Sequence, residues 1–105
     1  MPKFMYKVSY SQEGLKGTLA EGFVKREAYL KELSGNLGAT IEAVYWALGD
    51  DDAYVFVDGP SANVVAGSLA AAVGGVGKVS TVALFTAAEM DEAASKLPNY
   101  RAPGR

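Results

Sequence analysis

Two strand-like segments, Thr40 to Leu48 and Ala53 to Val57, are joined by an acidic turn and carry apolar side chains on both faces. This feature limits the available folds more than any other. A strand with one solvated face alternates apolar and polar residues. Here alternation puts Ile41, Ala43, Tyr45 and Ala47 on one side, and Val44, Trp46 and Leu48 on the other. Such a hairpin needs cover twice: one layer comes from the chain itself, and a second has to come from a partner surface.

The remaining segments supply the first layer. Phe4, Tyr6, Val8 and Tyr10 alternate along a first strand. From Ser11 to Leu37 the pattern turns helical, and Gly22 is expected to split it into a short piece near Gln12–Ala20 and a main helix, since glycine costs up to ~1 kcal/mol inside a helix. After the hairpin, Asp58-Gly59-Pro60 breaks the chain, Ser61 is placed to cap, and Ala62 to Val73 reads as a helix of small residues. Lys78 to Phe85 forms a fourth strand. Thr86-Ala87-Ala88-Glu89 has capping-box spacing before Met90, Ala93, Ala94 and Leu97 at helical intervals. The expected class is α+β: a ferredoxin-like βαββαβ unit with a four-stranded antiparallel sheet and an extra C-terminal helix. Residues 1–97 form one domain and 98–105 an extended tail, with Tyr100 docked on a neighbouring surface.

Composition removes whole classes of chemistry. The 105 residues include no cysteine and no histidine, so thiolate chemistry and the commonest metal ligands and general base are missing. A net charge of −2 gives no electrostatic reason for a nucleic-acid partner. Val64 to Val76, the longest apolar stretch, is too short to span a bilayer, so no membrane role and a cytoplasmic location are expected. Gly74 to Lys78 looks like part of a phosphate loop, but Val79 stands where serine or threonine is required and the glycines lead from helix to strand, the reverse of the phosphate-loop order. Asp50-Asp51-Asp52 lacks the spacing of a calcium loop, because Val55 and Ser61 occupy the glycine and glutamate positions. Neither a metal nor a cofactor is expected.

Arg26 is the residue that composition does not explain. It interrupts an apolar helical stripe of Phe23, Leu30, Leu33 and Leu37, with Leu19 out of phase beyond Gly22. An arginine there either snorkels or makes a structural ion pair, with Asp52 the nearest acid by topology, or it lines a pocket and holds an anion. In a βαββαβ layer the end of strand one, the hairpin turn and the start of strand four share one end of the sheet. Tyr10, Arg26, Trp46 and Asp52 are therefore the ligand-pocket candidates, with Lys78 nearby; no catalytic residue is assigned.

The segment Tyr45-Trp46-Ala47-Leu48-Gly49-Asp50-Asp51-Asp52 resembles the signature of the GYD-domain family, a Gly-acidic-Tyr-Asp turn between two strands. Gly49 and Asp52 match, and Asp51 replaces the tyrosine. The resemblance extends to Tyr10, the Glu13-Gly14 turn, Lys25-Arg26, the alanine-rich helix and Asn99-Tyr100-Arg101. It implies a dimeric α/β-barrel arrangement and no particular activity. The leading expectation is a small oligomeric module, a homodimer or higher homo-oligomer, that is structural or binds a small anionic or aromatic ligand. The alternative is a cofactor-free enzyme, isomerase- or oxygenase-like, acting on a small aromatic or enolic substrate in a cleft between sheet and helices.

Overall fold

The structure, a computed structural model, describes residues 2–105. Its elements are β1 (Lys3–Tyr10), α1 (Gln12–Glu21), α2 (Phe23–Asn36), β2 (Thr40–Trp46), β3 (Ala53–Asp58), α3 (Ser61–Val73), β4 (Gly77–Leu84) and α4 (Ala87–Ala94). The strands form one antiparallel sheet in the order β2-β3-β1-β4, the ferredoxin-like arrangement. No helix of the described residues is long and apolar enough to cross a membrane.

Local chemistry places the breaks. Gly22, at φ 96°, donates its N–H to Thr18 O (2.8 Å) to close α1, and its carbonyl accepts from Arg26 N (3.0 Å) to open α2. One residue thus ends one helix and begins the next in a conformation that favours glycine. The capping box of α4 is formed, with Thr86 Oγ1 accepting from Glu89 N and Glu89 Oε1 accepting from Thr86 N. Ser61 is not a cap: Pro60 holds the N-cap position and Ser61 is the first helical residue, making no capping bond.

The hairpin departs from simple alternation. Ile41 pairs with Val57 and Ala43 with Phe56, so Glu42 is bulged out of the ladder. Ile41 therefore shares the helix-covered side with Val44 and Trp46, and not the side of Ala43 and Tyr45. Glu42 reaches Lys3, which also contacts Asp58 at 3.3 Å. The strand also stops earlier than its composition suggests. Ala47 N donates to Asp52 O (2.8 Å) as the last rung, and Leu48 lies in the loop, fully exposed.

The helices cover the sheet unevenly. α2 packs on edge strand β2 and α3 on edge strand β4. At the end where β1 begins they are pinned: Asn63 Nδ2 donates to Leu37 O (2.6 Å), and the Tyr6 hydroxyl donates to Val64 O. The tight core sits at that end, built on Ala39, Val57 and Val64 with Phe4, Tyr6 and Ile41 against them. The other sheet face is open. Pairing aligns Ala43, Phe56, Met5 and Val82 in one apolar row across all four strands, so the second layer of cover that the hairpin calls for is missing within the chain.

Candidate functional site

Between α2, α3 and the central strands lies a cavity of about 350 Å³. The strands contribute inward residues such as Tyr6, Val8 and Val55, and α2 contributes its stripe of Leu30, Leu33 and Leu37. On the α3 side the wall is made of Gly67, Ser68 and alanines, small side chains that leave the space unfilled. The hollow thus follows from sequence: the helix nearest β4 has too little side-chain volume to reach the sheet centre.

Polar chemistry is concentrated at the wide end. Tyr10 and Trp46 stack with ring centroids 6.2 Å apart, and Phe23 meets Trp46 edge-on at 4.8 Å. Arg26 lines the cavity with its guanidinium 5.3 Å from the Tyr29 ring and its side chain 24% exposed. Its carboxylate partner is Glu21, at a long 3.9 Å, an exposed pairing worth at most about 1 kcal/mol. Among the described residues, no aspartate or glutamate lines the cavity. A second cleft of about 290 Å³, between α1 and the α3–β4 connection, shares Arg26, Gly74 and Val76 with the first.

Three of the four candidates converge here: Tyr10, Arg26 and Trp46. Asp52 does not join them, and the expected Arg26–Asp52 pair is not formed. The Asp52 carboxylate accepts from the Tyr10 backbone N–H at 2.7 Å, and its own N–H donates to Val8 O at 2.7 Å. A backbone donor at the end of β1, and not the Arg26 guanidinium, is the partner of this acid. Lys78 lies in register with Ser9, one position off Tyr10 along β1, and its alternation carries it to the open face. Asp51 is likewise occupied, accepting from Ser9 Oγ at 2.9 Å. Sequence reasoning missed Thr18, which is 3% exposed, and Tyr6 and Tyr29. The stripe could have flagged Tyr29, three residues from Arg26.

Burial pushes the Tyr10 hydroxyl pKa up, against the opposing effects of the Thr18 hydroxyl and the Arg26 guanidinium. Tyr6 is raised by burial. Both phenols hold their proton in the folded chain beyond the pH, about 10, at which an unfolded tyrosine loses it. Above that pH the unfolded state binds fewer protons, so stability is intact below about pH 10 and falls as pH rises through the folded values. Urea titrations from pH 8 to 11 are expected to show a shallower loss in Tyr10→Phe than in the native chain. Equal slopes would remove Tyr10 from this account.

Fold and cavity together describe a hollow ferredoxin-like α+β domain with one cationic corner. A family model described as the GYD domain matches residues 4–94, most of the chain. The protein belongs to the GYD-domain family. No curated protein and no solved structure matches it.

Proposed function

We propose that this protein is a small-ligand-binding module whose ligand is an organic monoanion with a flat apolar body, of the aromatic carboxylate type. The observation that carries this reading is an apolar cavity that, among the described residues, is lined by a single cation, Arg26, beside stacked aromatics and by no carboxylate. A guanidinium offers a planar pair of donors that matches a carboxylate, and its weak tether to Glu21 leaves it available. The volume lies at the small end of ligand cavities, about 300–1,000 Å³, which suits one ring or two fused rings. The proposal includes a cytoplasmic setting and a homodimer formed through the open sheet face, whose apolar row of Ala43, Phe56, Met5 and Val82 needs cover.

The test uses 2-naphthoate, followed by its fluorescence, with 2-naphthalenemethanol as the uncharged control. The acid is expected to bind and the alcohol to bind more weakly. Arg26→Met keeps the apolar stem and removes the charge. A lost charge-assisted hydrogen bond of about 1.5–3 kcal/mol corresponds to roughly a 10- to 150-fold weaker Kd. Unchanged affinity in that variant would end the proposal. A second reading, cofactor-free enzymology on an enolic or aromatic substrate, draws on one observation: Tyr10 retains its proton next to a cation and is suited to donate to a carbonyl or enolate oxygen. Deuterium uptake by a small enolisable aryl ketone, absent in Tyr10→Phe, would support that reading.

A further inference from the structure

Past Leu84 the chain leaves the packed layers of sheet and helices. Every residue from Phe85 to Arg105 except Ala102 is exposed, and among the described residues no element packs extensively against α4. The radius of gyration is 16.6 Å, with a longest extent of 54 Å, against about 13 Å for a compact chain of roughly 100 residues. Yet this segment has the marks of a surface that is meant to be covered. Leu97 and Tyr100 are 77% and 75% exposed, and Phe85 and Met90 are bare as well. Met90, Ala93 and Ala94 share one face of α4, and Leu97 follows just past its end. A helix of eight residues with so little tertiary support is not stable in water, where isolated helices are marginal below about 12–15 residues. Its capping box supplies only about 1 kcal/mol. The helix needs a surface to lie on.

We infer that this C-terminal arm, Phe85–Arg105, seats on a second copy of the chain and forms part of the dimer interface. The inference rests on the dimer proposed above. The first argument is charge. α4 itself carries Glu89, Asp91 and Glu92 and no basic residue within Ala87–Ala94, the basic side chains of the arm (Lys96, which pairs with Glu92 at 3.5 Å, Arg101 and Arg105) following the helix. At the end of the open sheet face away from the Lys3–Glu42–Asp58 group stand Lys7 and Lys78, which enter no ion pair among the described residues. The second is area. Four strands about 4.8 Å apart and about seven residues long at 3.3 Å each present roughly 450 Å². A stable interface needs about 800 Å² from each partner. That footprint alone leaves little margin, and the arm, which projects from the sheet with Phe85, Met90, Leu97 and Tyr100 exposed, adds apolar area to it.

The experiment uses the full chain and reads mass by light scattering during size exclusion from 1 to 100 µM. The native protein is expected to be a dimer. Met90→Ser/Leu97→Ser/Tyr100→Ser is expected to raise the dimer Kd at least 100-fold. All three side chains are exposed within one chain, and an unchanged near-ultraviolet signal from Trp46 would show that the domain remains folded. Lys7→Glu/Lys78→Glu should weaken the dimer, and adding Asp91→Lys/Glu92→Lys should restore it. A native dimer left unchanged by the triple substitution would overturn the arm's role while leaving the sheet-face dimer standing. A native monomer at 100 µM would overturn both, including the case in which the arm lies on its own sheet.

Discussion

Gly77→Ala is expected to cost about 3 kcal/mol or more and to lower the melting temperature by more than about 10 °C. Gly77 opens β4 opposite Tyr10, at φ 140°. A Cβ there would overlap the Ser9 carbonyl oxygen and stand 2.6 Å from Ser11 N. Backbone strain of about 1–3 kcal/mol adds to a steric overlap that no side-chain rotation relieves, because the obstructing atoms are main chain. Neighbouring Gly75, at φ 74° with nothing within 4 Å of its would-be Cβ, provides the comparison. Gly75→Ala bears the strain alone, about 1 kcal/mol. Chemical denaturation of both variants separates the terms, and equal costs would mean that the close approach of β4 to the end of β1 does not matter.

Asp52→Ala is expected to cost about 2–3 kcal/mol, because it removes a charge-assisted bond at 2.7 Å and leaves the Tyr10 N–H without its acceptor. The loss should be local to the junction of the hairpin loop with the end of β1, since the backbone bonds of Asp52 to Val8 and Ala47 do not depend on its side chain. Asp52→Asn, which keeps an acceptor oxygen, should recover part of the cost. A double-mutant cycle of Asp52→Ala with Arg26→Met is expected to give a coupling energy near zero, because Arg26 faces Glu21 and the cavity. Coupling above about 1 kcal/mol would mean that the two charges do interact, and a cost below about 0.5 kcal/mol for Asp52→Ala would make the Tyr10 bond incidental.

Much of the architecture was legible because it depends on local rules. The Gly22 break, the capping box at Thr86 and Glu89, and the strand order all follow from period, cap chemistry and topology, and the structure has them. The gathering of Tyr10, Arg26 and Trp46 was readable for the same reason: a βαββαβ layer brings those chain positions to one end. The bond of Asp52 was not readable. Every residue but proline offers a backbone N–H, so sequence does not mark which one captures an acid. The cavity was hidden as well, since it depends on how far apart α2 and α3 stand over the sheet, a lateral distance that periodicity does not encode. The C-terminal helix was legible from its capping box, though it ends at Ala94 and not at Leu97, and its standing apart from the packed sheet is a long-range property of packing.

The bulge at Glu42 acts as a phase shifter. Ile41 and Trp46 are five positions apart, an odd interval, and in an unbroken strand they would point to opposite sides of the sheet. The extra residue lets both face the same chamber, Ile41 near its closed end and Trp46 at its mouth. The strand thereby carries two alternation frames in series, and Glu42 is the junction between them. Its side chain, released from the ladder, is the one that reaches Lys3. The outer half of β2 thus owes its inside and outside to a single residue that belongs to neither frame.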